Sequence, residues 1–373
     1  MGVLFSGSQA EYAVIAEDWL RAVGDIAARG VFVGGPPVAS FEQRFAAYLG
    51  SRAAVGVGNG TDALFLALKA LGIGPGDEVI TAANTFIATV EAIHHTGARP
   101  VLVDCDPDNF LIDEEQAMAA ASPRTKAVIP VHLYGQMVDL QRLLPWAESR
   151  GIAVVEDSAQ AAGAFHRGRA AGSQGALGCF SFYPDKNLGA LGDGGAIAVN
   201  SEALLPVLRK LRNHGGEVRY EHELPGFNSR LDPIQASALA LKMNYLDEWS
   251  KHHRTVARMY EAELARVGNL MLPAHRGDES HAFHLYVVRT DASARDSLRR
   301  QLQKKGILTA VQYPVPVHLT PAFSHLGYEA GSFPNAERLA AEIVSLPMHI
   351  AMDEAAVAQV AGEMLAFLGP VRV

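Results

Sequence analysis

The first strong pattern in the chain is helical. Apolar residues recur at helical spacing across residues 11–28, and Gly30 follows them as a stop signal. A second helix is predicted to begin at Ser40, because Ser40 and Gln43 have the spacing of a capping box. The chain is therefore expected to open with two helices before its first strand.

Between residues 53 and 200, short apolar runs alternate with stretches of helical character. The runs cover residues 53–57, 78–82, 100–103, 127–131 and 152–155. This rhythm is typical of βαβ units, and strands buried on both faces read as such apolar runs. We expect an α/β fold in which a large domain holds a mostly parallel central sheet flanked by helices.

The last third of the chain has a different pattern. Residues 232–266 are helical in periodicity and long enough to link two domains. Residues 283–289 alternate like a strand, and residues 293–305 and 354–367 have helical character. Together with the length of 373 residues, this predicts a large domain over 1–245 and a smaller C-terminal α+β domain over 246–373.

Composition and charge narrow the class of protein. Hydrophobic residues make up 49% of the chain and charged residues 19%, which is typical of a soluble globular protein. The formal net charge of -8 provides no general attraction to nucleic acid or to an anionic membrane. The sequence also lacks a secretory signal and an apolar stretch long enough to cross a bilayer. We expect a cytoplasmic protein that binds neither nucleic acid nor membrane.

Neither the cysteines nor the histidines form a metal motif. Cys105 and Cys179 are far apart in the sequence and have no paired spacing. The histidine pairs at 94–95, at 252–253 and at 281 with 284 lack the H-E-x-x-H pattern, and we interpret them as solvated or hydrogen-bonded side chains. No metal site is predicted.

A glycine-rich turn follows the first apolar run. Gly58-Asn59-Gly60 leads into a helical stretch, and unpaired backbone N–H groups at a helix start bind phosphate well. Gly58, Gly60 and Ala63 also satisfy a dinucleotide fingerprint of the G-x-G-x-x-G/A type. That fingerprint requires an acidic residue at the end of the next strand, whereas Asp77 and Glu78 precede the apolar part of that run. A phosphate site, a dinucleotide site and a plain turn are all compatible with this segment.

Two further residues are candidates for catalysis. Asp157 follows the apolar run 152–155, and ligands of parallel sheets bind beyond the carboxyl ends of the strands, although an Asp there can also cap a helix. Lys186 lies among aromatic residues and glycines, away from the polar faces where most lysines are found. Such surroundings can lower the pKa of a lysine, as imine chemistry requires.

Four longer motifs occur in a fixed order along the chain. They are Gly58-Asn59-Gly60-Thr61-Asp62-Ala63-Leu64, Glu156-Asp157-Ser158-Ala159-Gln160, Ser181-Phe182-Tyr183-Pro184-Asp185-Lys186-Asn187-Leu188-Gly189 and Gly226-Phe227-Asn228-Ser229-Arg230-Leu231-Asp232. This set closely resembles the DegT family of nucleotide-sugar aminotransferases, and the likeness extends over about residues 30–350. The resemblance implies the cofactor pyridoxal 5'-phosphate (PLP) and the aspartate aminotransferase fold, fold type I.

The resemblance also implies a role for each matched residue. Lys186 would hold PLP through an imine and then move a proton between the substrate α-carbon and C4′ of the cofactor. Asp157 would pair with the protonated pyridine nitrogen and keep the ring able to accept electrons. The other cofactor contacts would be Gly60, Thr61 and Ser181 at the phosphate, Gln160 near the ring and its 3-oxygen, and Phe86 stacked on the other face.

The resemblance implies a homodimer with shared active sites, because the family asparagine that matches Asn228 usually reaches the phosphate from the neighbouring subunit. Judged locally, Asn228 could equally be a turn residue, Phe86 a core residue and Ser181 a strand residue. Substrate contacts are expected at Tyr183, Arg230, Tyr313 and His318. One position departs from the family: Gln312 stands where a histidine often precedes the Tyr-Pro pair, which affects substrate identity more than reaction type.

The implied reaction is transfer of an amino group from L-glutamate to a keto group of a nucleotide-linked deoxysugar. Gln160 and the run 183–195 most resemble enzymes that aminate a dTDP-linked 3-keto-6-deoxyhexose. A 4-keto sugar, a UDP sugar or a ketocyclitol would require the same cofactor machinery. Lys186 argues against the sugar dehydratases of the family, which have histidine there, and a non-catalytic regulatory or binding protein is the alternative from another class.

Overall fold

The computed structural model describes residues 2–371. Its helices are α1 (Ser8–Arg29), α2 (Pro36–Leu49), α3 (Gly60–Ala70), α4 (Ile87–Thr96), α5 (Glu114–Ala119), α6 (Leu143–Glu148), α7 (Leu205–Leu211), α8 (Pro233–Lys242), α9 (Leu246–Leu264), α10 (Ala292–Lys304), α11 (Pro334–Glu342) and α12 (Glu354–Leu368). Its strands are β1 (Ala53–Val57), β2 (Glu78–Ala82), β3 (Arg99–Val103), β4 (Thr125–Ile129), β5 (Ala153–Asp157), β6 (Phe165–His166), β7 (Arg169–Ala170), β8 (Leu177–Ser181), β9 (Gly195–Val199), β10 (Leu270–Met271), β11 (Tyr286–Thr290) and β12 (Ile343–Leu346).

The central sheet has seven strands in the order β1-β9-β8-β5-β4-β2-β3. Strands β2, β3, β4, β5 and β8 pair in parallel, whereas β9 pairs antiparallel with both β1 and β8. The five apolar runs of the sequence form β1 to β5, with ends shifted by one or two residues at three of them. The predicted α/β fold with a mostly parallel sheet is confirmed.

Helices cover both faces of this sheet. On one face, Leu64 of α3 and Ile93 of α4 belong to a buried cluster that includes Val155 of β5. On the other face, Phe45 of α2 packs edge-on against Phe180 of β8, with ring centroids 4.9 Å apart. Because both faces are buried, nearly every strand position is apolar, which is the pattern seen in the sequence.

The C-terminal part contains the antiparallel sheet β10-β11-β12. Buried side chains of α9, α10 and α12, including Tyr260 and Leu298, form a core against it. Val3 joins the same core, and its N–H donates to the carbonyl of Gly306 at 2.9 Å. Helix α9 begins at Leu246, where the sequence placed the start of a second domain, and the division into two domains stays a prediction.

Two helical segments differ from expectation. Helix α2 begins at Pro36 and not at Ser40, because Gly35, with a φ of 81°, ends the preceding turn and Pro36 occupies a first-turn position, where no N–H partner is needed. Residues 232–266 form two helices, α8 and α9, separated by a short turn that contains Asn244. Asparagine competes for backbone hydrogen bonds and favours turns over helix interiors.

Candidate active site

A cavity of about 630 Å³ lies where the parallel strands of the central sheet end. Asp157 is the last residue of β5, Ser181 is the last residue of β8, and Gly60 begins α3 shortly after β1. The carboxyl ends of parallel strands are where α/β sheets bind their ligands. The lining includes nine of the predicted site residues: Gly60, Thr61, Phe86, Asp157, Gln160, Ser181, Tyr183, Lys186 and Tyr313.

The start of α3 forms a cradle suited to an anion. Asn59 caps the helix, since its side-chain oxygen accepts the N–H of Asp62 at 2.8 Å. Gly60 and Thr61 line the cavity, and N–H groups in the first turn of a helix have no intrahelical acceptor. A Cβ at Gly60 would lie 2.6 Å from the Cβ of Ser181. Only glycine therefore allows the helix start to approach the end of β8 this closely.

Lys186 lies in a tight turn that follows β8. A Cβ at Gly189 would lie 2.3 Å from the carbonyl oxygen of Pro184, so the turn requires glycine at that position. Burial lowers the pKa of Lys186 to about 8, although the nearby Asp157 and Asp185 raise it in part. A substantial fraction of neutral amine is then present close to neutral pH, as attack on an aldehyde requires.

The carboxylate of Asp157 is held by two hydrogen bonds from the chain. Its Oδ2 accepts from Thr89 Oγ1 at 2.8 Å, and its Oδ1 accepts from the N–H of Ala159 at 3.2 Å. Burial raises the pKa of Asp157, while these two donors and the charge of Lys186 lower it in part. A cation placed against this carboxylate would keep it ionised.

Two hydrogen bonds fix the side chain of Gln160. Its Oε1 accepts the N–H of Tyr134 at 2.6 Å, and its Nε2 donates to the hydroxyl of Tyr313 at 3.0 Å. The ring of Tyr313 lies 5.2 Å from that of Phe86, which is 50% exposed. Phe86 is therefore not a core residue, and its half-exposed ring is available to a flat ligand.

The fully buried carboxylate of Glu156 anchors the chain directly before Asp157. It accepts from His132 Nε2 at 2.8 Å and from three backbone N–H groups in the segment 172–175. His132 Nδ1 accepts the N–H of Val138, so Nε2 carries the ring proton. Burial acts to raise the pKa of Glu156, but these donors outweigh it and hold the pKa below the usual value. The end of β5 is thereby fixed in place.

Three predicted residues do not line this cavity. His318 is buried and hydrogen-bonds Glu337 at 3.0 Å, so we leave it out of the proposed substrate site. Arg230 lines a second cavity of about 390 Å³ and donates to Asn213 at 3.1 Å. Asn228 is exposed, and its backbone pairs with Asn213.

The cavity lining also contains residues to which the sequence had assigned no role, among them Phe5, Ser6, Thr85, Thr89 and His284. His284 was interpreted as a solvated or hydrogen-bonded side chain. Burial, with smaller contributions from Lys186 and His253, holds its pKa well below the usual value, so it presents a neutral imidazole. The sequence provides no local signal for Phe5 and Ser6, which lie far along the chain from the other lining residues.

The dinucleotide interpretation of residues 58–63 is not supported. Glu78 begins β2, at the opposite end of that strand from the cavity, and it binds Arg124 at 2.6 Å. A dinucleotide fingerprint requires its acidic residue at the carboxyl end of this strand.

Across residues 2–371, His, Cys, Asp and Glu side chains do not gather in a group of three or more that could hold a metal ion. Over the same residues, no helix combines the length and the apolar character needed to span a bilayer.

Known proteins match nearly the whole chain. The profile of the DegT/DnrJ/EryC1/StrS aminotransferase family matches residues 13–365. A protein of Geobacillus stearothermophilus named pleiotropic regulatory protein is 44% identical over 340 residues, which cover 91% of each chain. The dTDP-3-amino-3,4,6-trideoxy-alpha-D-glucose transaminase of Streptomyces venezuelae is 43% identical over 346 residues, which cover 93% of this chain and 91% of that one.

Solved structures agree with the sequence matches. The crystal structure of Streptomyces venezuelae DesV in complex with a ketimine intermediate superposes with a TM-score of 0.96 at 40% identity, covering 100% of this chain and 99% of that one. The resemblance found in the motifs and the predicted fold type I are confirmed, with PLP as the cofactor. The chain therefore belongs to the DegT/DnrJ/EryC1/StrS aminotransferase family and is a PLP-dependent aminotransferase.

Proposed function

We propose that the protein transfers an amino group from L-glutamate to a keto group of a nucleotide-linked deoxysugar. The observation that carries this proposal is that one cavity combines the amine of Lys186, the carboxylate of Asp157 and the first turn of α3, whose N–H groups have no intrahelical acceptor. The name of the Streptomyces venezuelae relative supports an acceptor of the dTDP-linked 3-keto-6-deoxyhexose class.

The cavity residues fit the cofactor. Gly60, Thr61 and Ser181 would hold the phosphate at the start of α3, where the helix dipole and close packing favour an anion. Gln160 would contact the ring edge, and the exposed ring of Phe86 would stack on one face. Bound PLP supplies an electron sink for the electrons left when the substrate α-proton is removed.

Lys186 and Asp157 perform separate tasks. Lys186 Nζ would be the covalent attachment point and, once an incoming amine displaces it, would carry the proton between the substrate α-carbon and C4′ of the cofactor. A pKa of about 8 suits this task, because a group that titrates near the working pH both accepts and releases protons readily. Asp157 would accept a hydrogen bond from the ring nitrogen and keep the proton there.

The charge of the cavity supports an active site shared between two subunits. Within the described chain, the lining carries four carboxylates against one amine and contains no arginine: Asp62, Asp157, Asp185 and Asp193 against Lys186. A nucleotide-linked sugar brings a diphosphate, which needs cations and hydrogen-bond donors. We infer that a second copy supplies them through Arg230, which lines a surface cavity beside the exposed Val33, while the exposed Asn228 of that copy would reach the cofactor phosphate.

The remaining lining suits a deoxysugar nucleotide. Tyr183 is 55% exposed at the cavity and offers a ring for stacking. Phe5, Leu285 and Met348 provide apolar surface for a sugar methyl group. A 4-keto sugar, a UDP sugar or a ketocyclitol would use the same residues around the cofactor, so the acceptor is decided by experiment.

The test begins with the absorbance of the purified protein after addition of PLP. We expect a band above roughly 400 nm that borohydride abolishes, that L-glutamate bleaches, and that is missing in Lys186→Ala. The bleached enzyme is then incubated with a panel of nucleotide-linked keto sugars, and the aminated product is identified by mass and NMR. A stable band that no amino-acid donor bleaches would refute the proposed transfer.

A regulatory role beside amino transfer is the second candidate, because the Geobacillus stearothermophilus relative has a regulatory name. The same absorbance experiment tests the transfer itself, since an aminotransferase returns to its starting spectrum when a keto sugar follows the donor.

A further inference from the structure

Two buried threonines form a hydrogen-bonded chain that ends at Asp157. Thr89 Oγ1 lies 2.8 Å from Asp157 Oδ2, and Thr85 Oγ1 lies 2.8 Å from Thr89 Oγ1. Both threonines line the active-site cavity and are at least 98% buried. Neither takes part in the cofactor contacts proposed above, and their hydroxyl groups reach the proposed ring site only through Asp157.

The direction of this chain follows from counting hydrogens. A hydroxyl group carries one hydrogen, and Thr89 gives its hydrogen to the ionised Asp157, which can only accept. Thr89 must then accept from Thr85, which acts as the second donor. A donor held behind another strengthens the bond to the carboxylate, because hydrogen bonds in a chain polarise one another.

The two threonines also connect Phe86, which is proposed to stack on the cofactor ring, with Asp157, which is proposed to bind the ring nitrogen. Phe86 lies between them in the sequence, and Thr89 lies in the first turn of α4, so one segment carries both Phe86 and the donor to Asp157. The second oxygen of Asp157 accepts from Ala159 on the β5 side. The plane of the carboxylate is therefore set by two donors from different elements.

We propose that Thr89 is a positioning residue that aims the Asp157 carboxylate at the ring nitrogen of the cofactor, with Thr85 as the donor behind it. This inference rests on the proposed function of the site. The titratable groups around Asp157 are Lys186, His132, Tyr313 and Cys179, whereas the Thr89 hydroxyl bonds Asp157 and Thr85.

The test uses the PLP-loaded enzyme and three variants. Thr89→Val removes the hydroxyl at nearly constant shape, Thr89→Ser restores it, and Thr81→Val is a matched control. Thr81 is a buried threonine in β2 whose hydroxyl bonds only the carbonyl of Ile129, at 2.9 Å. All three variants are compared by thermal unfolding, by kcat and KM, and by the ¹⁵N chemical shift of PLP labelled at the ring nitrogen.

In Thr89→Val the carboxylate can turn away from the ring nitrogen, and we expect this loss of aim to outweigh the greater basicity that Asp157 gains when a donor is removed. The ring nitrogen should then lose its proton at a lower pH than in the parent, and kcat should fall roughly 10- to 100-fold, the range for a hydrogen bond to a charged group. We expect Thr89→Ser to recover the nitrogen titration, and Thr81→Val to leave it unchanged. A nitrogen titration in Thr89→Val equal to that of the parent overturns the inference, as does an equal shift in Thr81→Val. A parent enzyme that forms no PLP band contradicts the proposed function itself.

Discussion

The ammonium group of Lys242, at the end of α8, lies 2.7 Å from the carboxylate of Glu11 in α1. Lys242 is fully buried and Glu11 nearly so. Two opposite charges removed from water are stable only while each compensates the other. The pair therefore joins α1 to α8, and we expect the protein to tolerate the loss of both residues better than the loss of one.

We predict that Lys242→Met or Glu11→Leu alone lowers the free energy of unfolding by about 3–5 kcal/mol, because each leaves an uncompensated buried charge. The double variant should recover most of this loss. Chemical denaturation measures the difference, with Arg21→Ala at the exposed Arg21–Glu17 pair as a control that should change stability by less than about 0.5 kcal/mol. Additive losses in the double variant would contradict this account.

The lowered pKa of Lys186 predicts the pH dependence of cofactor loading. The rate at which the cofactor-free enzyme incorporates PLP should rise about tenfold per pH unit up to about pH 8 and reach a plateau above it. Only the neutral amine attacks the aldehyde, and its fraction follows this course. The growth of absorbance above roughly 400 nm between about pH 6 and pH 11 measures this rate. A rate that continues to rise through pH 10 would indicate an ordinary lysine pKa.

The same lysine predicts how stability depends on pH. Its pKa is about 8 in the folded protein and 10.5 in the unfolded chain, so between these values the unfolded chain binds more protons. Stability of the cofactor-free protein should therefore rise with pH across that window through this group. Lys186→Met removes the contribution, and its unfolding curves should lose this part of the pH dependence.

Asp157→Asn should retain PLP and lose catalysis. An amide cannot keep the ring nitrogen protonated, and its NH₂ group would face either the hydroxyl of Thr89 or the N–H of Ala159, both of which are donors. We expect kcat to fall by about 10²- to 10³-fold at equal cofactor content. The donor half-reaction, followed by bleaching with L-glutamate, provides the measurement, and an unchanged rate would remove Asp157 from the proposed mechanism.

The shared active site predicts complementation between inactive variants. Lys186→Ala and Asn228→Ala should each be impaired alone, whereas in a refolded equal mixture half of the dimers are mixed and contain one intact site. Activity should then recover to about one quarter of the parent value. Recovery no greater than the sum of the two variants would show that Asn228 acts within its own subunit or not at all.

Gln312 is expected to affect binding of the keto-sugar acceptor and not binding of the cofactor. Its side chain lines the cavity and is held by the hydroxyl of Ser345. Gln312→Ala should raise KM for the keto sugar by about 2- to 10-fold, the effect of one neutral hydrogen bond, while the donor half-reaction stays unchanged. Ser345→Ala should have a smaller effect in the same direction. An altered PLP spectrum in Gln312→Ala would place the residue at the cofactor instead.

Local sequence patterns were sufficient for strands β1 to β5, and most of the site residues that the family resemblance implied line one cavity. Short apolar runs are the pattern expected of strands that are buried on both faces. Gly60 and Gly189 occupy positions where a Cβ would collide with a neighbour. The start of α2 was misplaced because the capping-box spacing at Ser40 competes with the Gly35-Pro36 signal that the chain uses. Only one of the two signals can begin the helix.

The sequence by itself determined strands β1 to β5, because these follow from short apolar segments, and its ordered motifs identified the family and with it the cofactor. The catalytic roles of Lys186 and Asp157 stay predictions. The tertiary structure alone decided that Phe5 and His284 line the same cavity, that Thr89 donates to Asp157, and that His318 lies away from it. These contacts join residues far apart in the sequence. They depend on how helices pack on the sheet, which no local pattern encodes.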